Sequence, residues 1–347
     1  VGPAGTAMRV LTAFAALKGT NITLTGSARM QARPIGILVD ALKQLGADIT
    51  YTDKQGYPPL QIPKALAQRN KQVIVPGNIS SQFISALLLI APQLPLGLEL
   101  HIQGDVTSAP YIKMTLALLS QSRVTYQWSK QVISIAPQEF KPCEITIEPD
   151  WSAASYWYSL VALAKEAEIF LPQLSKNSLQ GDCKIIEIMA QLGVKSEFKN
   201  AGLLLTKTKT IPGDIAIDFK DCPDLAQTVI VCCAALKRNA VFTGLETLRI
   251  KETDRIQALQ NELAKIGVTF TAHKQAYHLN CDKLHFPQKI HINTYHDHRM
   301  AMAFACLALV IPEVTIADKD VVAKSYPHFW DALKSISIAN QHALLKP

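Results

Sequence analysis

Apolar residues alternate with polar ones over short stretches of the chain, and in longer stretches apolar residues recur every three or four positions. The first pattern predicts β-strands and the second predicts amphipathic helices. One order of elements recurs at intervals of roughly 60–80 residues: a strand, a helix, a second strand, a second helix and a closing pair of strands. We therefore expect a repeated α/β architecture.

Three copies of this unit begin at strands predicted over residues 72–76, 143–147 and 214–218, and a partial fourth begins at 290–292. Residues 1–70 match the back half of a copy. The predicted helices cover 6–17, 35–45, 81–89, 111–121, 153–165, 184–192, 225–236, 254–266 and 329–335. The other predicted strands cover 22–25, 47–52, 98–102, 123–126, 132–135, 203–206, 240–243, 268–271 and 276–280. Consecutive closing strands distinguish this pattern from a plain nucleotide-binding α/β fold, and neither GxGxxG nor GxxxxGK[ST] occurs in the sequence.

The composition fits two globular domains. The chain has 347 residues, of which 48% are hydrophobic and 18% charged, and single cores rarely grow to that size. Pro142 and Pro149 surround a candidate crossover, so we expect domains over residues 1–149 and 150–347. No apolar run reaches the roughly 18 residues of a membrane-spanning helix, so we expect no association with a membrane. The seven cysteines show no CxxC spacing, and Cys232 and Cys233 lie in an apolar run, which is typical of reduced thiols in a cytoplasmic protein rather than of disulfides or a zinc site.

The net charge of +7 is spread along the chain. Residues 1–150 contain 13 basic and 9 acidic side chains, and residues 151–347 contain 22 and 19. Proteins that bind nucleic acid usually concentrate basic and aromatic residues on one face, which this sequence does not do. The excess therefore indicates either a cleft for small anions or an ordinary charged surface.

The densest charged cluster, Lys251-Glu252-Thr253-Asp254-Arg255, lies between a predicted strand and a predicted helix. An ordinary charged helix start, capped by Thr253 or Asp254, explains it equally well. Alternatively, Lys251 and Arg255, four residues apart, would share one helix face and form an anion site with the free amides of the helix start. Glu252 would then be a carboxylate held among cations.

A second cluster, residues 297–303 (DHRMAMA), has the same layout of strand, polar residues and apolar helix. His298 is either a helix-capping or surface histidine, or a group that moves protons near neutral pH. Arg299 offers a two-pronged donor to a carboxylate or phosphate. Met300 and Met302 are expected in the core. Two such clusters at equivalent places in two repeats favour the functional interpretation over either cluster alone.

Weaker candidates also lie at predicted helix starts. Residues 2–9 (GPAGTAMR) form a small-residue loop that either makes a tight turn or lets a ligand approach the backbone. Ser80, Ser81 and Gln82 suit a helix cap or a phosphate site. Asp224 is either a cap or a base in a cleft, and Lys324 alone is either a solvated charge or an anion ligand.

Taken together, these segments resemble one family, 3-phosphoshikimate 1-carboxyvinyltransferase, also called EPSP synthase. The matching text occurs in family order between residues 2 and 334: GPAGTAMR, LTGSARMQARPIG, SSQF, SAPYI, CPDLA, RIKETDR, DHRMAMAF and KSYPHFWDAL. An alternative is UDP-N-acetylglucosamine enolpyruvyl transferase, which has the same fold. That family places a reactive cysteine in the loop formed here by residues 26–30, and no cysteine occurs before Cys143.

The resemblance implies two domains, each built of three βαβαββ units around a pseudo-threefold axis as an inside-out α/β barrel. It implies transfer of the enolpyruvyl group of phosphoenolpyruvate to the 5-hydroxyl of shikimate 3-phosphate, with release of phosphate. The reaction would be an addition followed by an elimination in aromatic amino-acid biosynthesis, with no metal and no organic cofactor. The partners would be these two small molecules, not nucleic acid or a membrane, and we expect a cytoplasmic monomer.

The resemblance also assigns roles by position. Shikimate 3-phosphate would be bound by Ser80, Ser81, Gln82, Ser108, Tyr111, Asp224 and Lys251. Phosphoenolpyruvate would be bound by Gly5, Arg29, Gln82, Arg255, Arg299 and Lys324, with Lys251 nearby. The catalytic residues would be Asp224, which holds the attacking hydroxyl and helps to deprotonate it, Glu252, which protonates the methylene, and His298, which borders the site. The first domain, 1–149, would hold the shikimate-phosphate site and the second most of the phosphoenolpyruvate site.

The sequence departs from the family in three places. Pro3 replaces the Asn of GNAGTAMR, and Thr247 stands where the family often has Asn. Family members also have an N-terminal segment with a Lys-Ser pair and an Arg that contact both substrates, which nothing here matches. We expect that segment, and with it the first unit, to lie before residue 1, so that the chain as given would be inactive or impaired. The alternative is an anion-binding remnant without catalysis.

Overall fold

The computed structural model describes residues 1–19 and 21–336, which divide between two compact units, unit 1 (Val1–Ile147) and unit 2 (from Glu148 onward). Each unit has its own hydrophobic core. Among the described residues, helices long and apolar enough to cross a membrane are absent.

Unit 1 contains a three-stranded and a four-stranded sheet. Its helices are α1 (Gly5–Lys18), α2 (Ala28–Gln31), α3 (Gly36–Leu45), α4 (Ser81–Ile90) and α5 (Ala109–Gln121). Its strands are β1 (Ile22–Leu24), β2 (Thr50–Tyr51), β3 (Leu60–Ile62), β4 (Gln72–Pro76), β5 (Leu98–Gln103), β6 (Gln127–Ser129) and β7 (Val132–Ile135). The sheet orders are β1-β3-β2 and β4-β5-β7-β6, in which only β4 and β5 are parallel neighbours.

Unit 2 contains a three-stranded, a four-stranded and a two-stranded sheet. Its helices are α6 (Trp151–Leu163), α7 (Ile185–Gln191), α8 (Ala226–Ala235), α9 (Arg255–Ala264), α10 (His298–Ala305) and α11 (Phe329–Ser335). Its strands are β8 (Glu168–Pro172), β9 (Val194–Lys199), β10 (Gly202–Lys207), β11 (Ile215–Asp218), β12 (Ala240–Thr243), β13 (Thr269–His273), β14 (Ala276–Asn280), β15 (Lys289–Ile292) and β16 (Glu313–Ile316). The sheet orders are β8-β10-β9, β11-β12-β14-β13 and β15-β16, with parallel pairs β11·β12 and β15·β16.

The repeat expected from the sequence is visible in the order of the strands. Residues 72–135 and 215–280 each form a complete βαβαββ unit, and their sheets have the same order. The two three-stranded sheets have the order of the last three strands of those units. In a βα unit the helix begins at the carboxyl end of the strand and runs back along the sheet, so two parallel neighbours place the starts of both following helices at the same edge. This arrangement brings the starts of successive helices close to one another.

Two predicted strands are wrong. Residues 143–147 are outside every strand of the described chain, and the apolar side chains of this segment are exposed, with Ile147 at 84%. Their alternation therefore has no neighbouring strand to join. The strand predicted over 123–126 forms later, as β6, because Arg123 adopts a left-handed backbone (φ 64°) that ends α5 with a turn. Strands β3, β8, β9 and β16 were not predicted from the sequence.

Several core predictions are confirmed. Met300 is fully buried and Met302 nearly so, at 2% exposure. Cys232 and Cys233 are fully buried on α8, and all seven cysteines are free thiols. Every residue of α8 is buried, so this helix is the central element of unit 2. Its start, which follows β11, is therefore held firmly in place.

Candidate active site

Polar segments lie at the carboxyl ends of the two parallel strand pairs of unit 2. Asp224 lies in the 3₁₀ turn Pro223–Leu225 between β11 and α8. Lys251 and Glu252 follow the 3₁₀ helix Glu246–Ile250 between β12 and α9. Asp297 caps α10 after β15, and Lys324 ends the 3₁₀ helix Lys319–Lys324 after β16. Four strand ends thus supply one cluster of charged side chains.

The guanidinium of Arg255 is at the centre of this cluster. Arg255 is the first residue of α9 and only 1% exposed. Its Nε donates to Asp297 Oδ2 (2.7 Å), its Nη2 to Glu252 Oε2 (2.9 Å) and its Nη1 to Asp224 Oδ1 (3.2 Å). Burial alone would lower the pKa of Arg255, but the three carboxylates raise it above its ordinary value. One buried cation therefore joins three acidic residues from three different loops.

Arg299, in the first turn of α10, makes a second set of contacts. Its Nη2 donates to Asp224 Oδ2 (2.9 Å) and to Ser152 Oγ (3.3 Å). Its Nη1 donates to the Asp224 carbonyl (3.2 Å) and to the Tyr156 hydroxyl (3.5 Å). Ser152 in turn donates to Asp182, and each Nη of Arg299 is shared between Asp224 and a side chain of α6. The guanidinium is thereby fixed in one orientation.

Asp224 is the carboxylate with the most cationic neighbours. Besides Arg255 and Arg299, Lys251 Nζ lies 3.5 Å from Asp224 Oδ1. Burial alone would raise the pKa of Asp224, but Arg299, Lys251 and Arg255 together lower it well below its ordinary value. Asp224 is ionised at neutral pH and does not cap α8, which begins at Ala226.

Glu252 lies between two cations, as the sequence suggested. Its Oε2 accepts from Arg255, and its Oε1 accepts from the ammonium of Lys324. Glu252 and Lys324 are partly exposed, at 16% and 22% of their side chains. Lys324 is therefore a member of the cluster and not a lone solvated charge.

His298 differs from the expectation of proton transfer near neutral pH. The residue is buried (5% exposed), and its Nδ1 has no hydrogen-bond partner among residues 1–19 and 21–336. Burial, together with Arg299, Arg255 and Lys324, lowers the pKa of His298 to about 4 despite the adjacent Asp297. His298 is thus a neutral imidazole at pH 7, because a second buried positive charge beside these cations is unfavourable.

The expected shared helix face of Lys251 and Arg255 is wrong. The helix α9 begins at Arg255, and Asp254 is its cap, accepting from Gln257 N at 3.0 Å. Lys251 therefore precedes the helix. It nevertheless meets Arg255 at a common partner, Asp224.

In unit 1 the candidate residues lie at the ends of the parallel strands β4 and β5. Ser80 caps α4, accepting from Gln82 N (3.4 Å), and Ser81 is the first residue of that helix, 8% exposed. Ser108 precedes α5 in a left-handed conformation (φ 56°) and is 7% exposed. Thr107 donates to the Ile79 carbonyl (3.1 Å), which ties the two loops together.

The remaining candidates of unit 1 surround the start of α1. Gln82 Nε2 donates to Thr6 Oγ1 (3.1 Å), so α4 and α1 begin side by side. A Cβ added to Gly5 would lie 2.8 Å from Nη1 of the buried Arg33, so any larger residue there requires the Arg33 guanidinium to move. Arg29 is exposed on α2, and Tyr111 lies in the first turn of α5.

The structure joins Asp224, Lys251, Glu252, Arg255, Arg299 and Lys324 in one ion network of unit 2, with His298 beside it. Sequence reasoning missed Asp297, Ser152, Tyr156 and Arg33 as members of these sites. Asp297 had a signal, since an Asp directly before an apolar helix is a typical cap. Ser152 and Tyr156 had none, because their side chains belong to an apolar helix and reach Arg299 only through the tertiary fold.

Repeated βαβαββ units with charged residues gathered at helix starts define an α/β protein of the enolpyruvyl transferase fold class. The family model described as EPSP synthase (3-phosphoshikimate 1-carboxyvinyltransferase) matches residues 1–333. The 3-phosphoshikimate 1-carboxyvinyltransferase of Bacteroides fragilis is 46% identical over 334 residues, covering 95% of this chain and 81% of the relative. That of Xenorhabdus nematophila is 38% identical over 343 residues, covering 97% and 78%. The chain belongs to the EPSP synthase family.

A solved structure of EPSP synthase from Acinetobacter baumannii has the same fold, with a TM-score of 0.71. It is 22% identical, and the match covers 96% of this chain and 77% of that one. Family membership makes the chain a transferase of the shikimate pathway, acting in aromatic amino-acid biosynthesis on phosphoenolpyruvate and shikimate 3-phosphate. The alternative, UDP-N-acetylglucosamine enolpyruvyl transferase, is not favoured.

Proposed function

We propose that the ion network of unit 2 binds phosphoenolpyruvate and carries the chemistry of enolpyruvyl transfer to the 5-hydroxyl of shikimate 3-phosphate. The observation that carries this proposal is that four cations, Lys251, Arg255, Arg299 and Lys324, contact three carboxylates in one partly exposed cluster. A phosphate and a carboxylate on a small ligand can take the place of internal carboxylates as partners of these cations. Arg255, Arg299 and Lys324 are the proposed phosphoenolpyruvate ligands.

The reaction needs an acid and a hydroxyl-holding group. Glu252, in its protonated form, is proposed to deliver a proton to the methylene carbon while the 5-hydroxyl oxygen attacks the adjacent carbon and gives up its proton to Asp224. Elimination of phosphate from the tetrahedral adduct then gives the product, and the proton lost from the methyl group returns to Glu252. Glu252 contacts Arg255 and Lys324, two of the proposed phosphate ligands. A bound phosphate would draw those cations away, and Glu252 would then be available for proton transfer.

Asp224 is proposed to hold the attacking hydroxyl, with Lys251 as a second ligand of shikimate 3-phosphate. Its low pKa makes Asp224 a weak base in the free protein. Because the three cations that cause this shift are also proposed substrate ligands, substrate anions would weaken the shift. His298, neutral and buried, is proposed to border the site as a hydrogen-bonding group and not as a cation.

In unit 1, we assign Ser80, Ser81, Gln82, Ser108 and Tyr111 to shikimate 3-phosphate. Two helix starts at adjacent strand ends supply backbone N–H groups and hydroxyls, which suit a phosphate. Gly5, Arg29 and Gln82 are assigned to phosphoenolpyruvate by their positions in the family motifs. This division gives unit 1 the shikimate-phosphate site and unit 2 most of the phosphoenolpyruvate site.

The test is release of inorganic phosphate by the full-length protein, which should require both substrates. Arg299→Gln should lower kcat/KM for phosphoenolpyruvate by about 10²- to 10³-fold, as loss of one preorganised donor does elsewhere. The matched control is Arg238→Gln, because Arg238 in the same unit donates, within residues 1–19 and 21–336, to the backbone carbonyls of Ile211 (3.0 Å) and Gly213 (2.5 Å) rather than to a carboxylate. Equal effects of the two variants would contradict the assignment. Heat of binding with shikimate 3-phosphate but no phosphate release would instead indicate an anion-binding protein without catalysis.

We also propose that the enzyme acts as a cytoplasmic monomer. The ligands proposed above all come from one chain, so they require no group from a second copy. Seven free cysteines, five of them buried beside apolar side chains, are typical of a reducing compartment. Light scattering on the purified protein tests the oligomeric state, and cell fractionation tests the compartment.

A further inference from the structure

The loop between β15 and α10 contains two consecutive residues with left-handed backbones. Tyr295 has φ 55° and His296 has φ 56°. Neither is glycine, and although histidine adopts this conformation more often than most side chains, a bulky tyrosine in it is uncommon and unfavourable. Strained backbone of this kind persists only where surrounding contacts hold it, and it concentrates at functional sites. The next three residues are Asp297, His298 and Arg299.

A fully buried carboxylate holds this loop. Glu262 is 0% exposed; its Oε1 accepts from the Tyr295 hydroxyl (2.7 Å) and its Oε2 accepts from Asn293 N (3.1 Å). Lys265 Nζ lies 2.5 Å from Oε2 and compensates the charge, and it also donates to the His291 carbonyl (2.8 Å). Glu262 therefore contacts the chain at Asn293, before the left-handed residues, and at Tyr295, the first of them.

Glu262 also belongs to the helix that carries Arg255. Both residues lie on α9, seven positions apart, which is two turns on the same helix face and a rise of about 10 Å. Arg255 contacts Asp297 at one end of the loop, and Glu262 contacts Tyr295 and Asn293 at the other. Because these two contacts are two turns apart along the axis of α9, they fix both the position and the direction of the loop relative to that helix.

We propose that the Tyr295–Glu262 hydrogen bond is a positioning device for the phosphoenolpyruvate site, which holds the strained loop so that Asp297 meets Arg255 and Arg299 meets Asp224. This inference rests on the proposed function of the ion network. Neither Tyr295 nor Glu262 contacts the proposed substrate ligands directly; both act through the loop. When the hydroxyl is absent, the loop relaxes toward ordinary backbone angles, and the first turn of α10 moves with it.

The test compares Tyr295→Phe with Tyr158→Phe in the full-length protein. Tyr158 is a matched control, because its hydroxyl also makes a 2.7 Å hydrogen bond, to Ser196 Oγ, in unit 2 but on α6. Tyr295→Phe should lower kcat/KM for phosphoenolpyruvate about tenfold or more, as a small displacement of catalytic groups does, and leave KM for shikimate 3-phosphate unchanged. Tyr158→Phe should lower the free energy of unfolding by about as much as Tyr295→Phe does, but leave the KM values for phosphoenolpyruvate and shikimate 3-phosphate unchanged.

A second variant tests the backbone mechanism directly. Glycine adopts left-handed angles without strain, so His296→Gly in the Tyr295→Phe background should restore most of the lost kcat/KM. The inference is overturned if Tyr295→Phe behaves like Tyr158→Phe, if both substrates are affected equally, or if glycine gives no rescue. These outcomes presuppose an active parent protein, so failure of the parent to release phosphate would contradict the proposed function instead.

Discussion

Substitution of Asp297 by alanine would remove two kinds of contact at once. Asp297 is fully buried; its Oδ2 accepts from Arg255 Nε at 2.7 Å, and its Oδ1 accepts from Arg255 Nη2 at 3.4 Å and from Arg299 N at 2.9 Å. The first two contacts form a buried ion pair, and the third is the cap of α10. Asp297→Asn distinguishes the ion pair from the cap, because asparagine caps helices as well as aspartate does but carries no charge.

The expected magnitudes follow from these contacts. Removing one partner of a buried ion pair costs about 3–5 kcal/mol. Arg255 keeps Glu252 and Asp224 as partners, so we expect the lower end, about 3 kcal/mol, for Asp297→Asn. Loss of a cap costs about 1 kcal/mol, so Asp297→Ala should cost about 4 kcal/mol.

Urea unfolding followed by tryptophan fluorescence is the assay. Trp151, Trp157 and Trp330 belong to unit 2 and only Trp128 to unit 1, so the signal reports mainly on the unit that changes. The control is Asp254→Ala, which removes the cap of α9 and an exposed contact with Arg249 (2.9 Å), and should cost only about 1 kcal/mol.

The reasoning is refuted if Asp297→Asn costs less than about 1 kcal/mol, since a buried pair cannot then be what holds Arg255. Equal losses for the asparagine and alanine variants would refute only the contribution of the cap. A loss at Asp254 as large as that at Asp297 would show that burial does not distinguish the two carboxylates.

Two further predictions concern pH and backbone packing. The pKa of His298 is about 4 when folded, against an ordinary value of 6.5, so the unfolded chain takes up a proton first as the pH falls. Folding stability should therefore decrease from pH 6.5 to 4, by at most about 1.4 kcal/mol per pH unit, and His298→Gln should flatten this slope; parallel stability profiles would contradict it. Gly77→Ala would place a Cβ 2.6 Å from the Asp105 carbonyl oxygen and should cost about 1–3 kcal/mol in thermal unfolding. Gly36→Ala, whose Cβ meets nothing closer than 3.4 Å, is its control, and equal losses would show that the close approach at Gly77 is unimportant.

The sequence predicted most accurately those strands in which an alternating segment pairs with a neighbouring strand. The predicted strands 72–76, 132–135, 240–243 and 276–280 match β4, β7, β12 and β14 residue for residue. Residues 143–147 alternate equally well but are unpaired in the described structure, and Ile147 is exposed. Alternation therefore reports the capacity of a segment to form a strand, whereas a neighbouring strand decides the outcome.

The charged clusters were predictable as residue types at helix starts, but their pairing was not. Arg255 was expected only as an anion ligand, and it is also the buried partner of three carboxylates from separate loops. The pKa of His298 depends on burial and, besides the adjacent Arg299, on Arg255 and Lys324, which are distant in sequence, so its lowering could not be inferred from the motif. Tertiary contacts of this kind are formed by the fold and are not encoded in local spacing.

The three carboxylates of the ion network differ in their exposure to solvent, and the balance of charge around them sets what a substrate anion meets. Four cations, Lys251, Arg255, Arg299 and Lys324, face Asp224, Glu252 and Asp297, which leaves a net charge of +1 before any substrate binds.

Asp224 and Glu252 keep 23% and 16% of their side chains exposed, whereas Asp297 has none. In the proposed reaction, an arriving anion replaces the first two as partners of the cations, because both are open to solvent. Asp297 stays with Arg255, since separating a fully buried pair leaves a charge uncompensated. Asp297 is accordingly the fixed anchor of the network, and we propose Asp224 and Glu252 as the carboxylates released for chemistry.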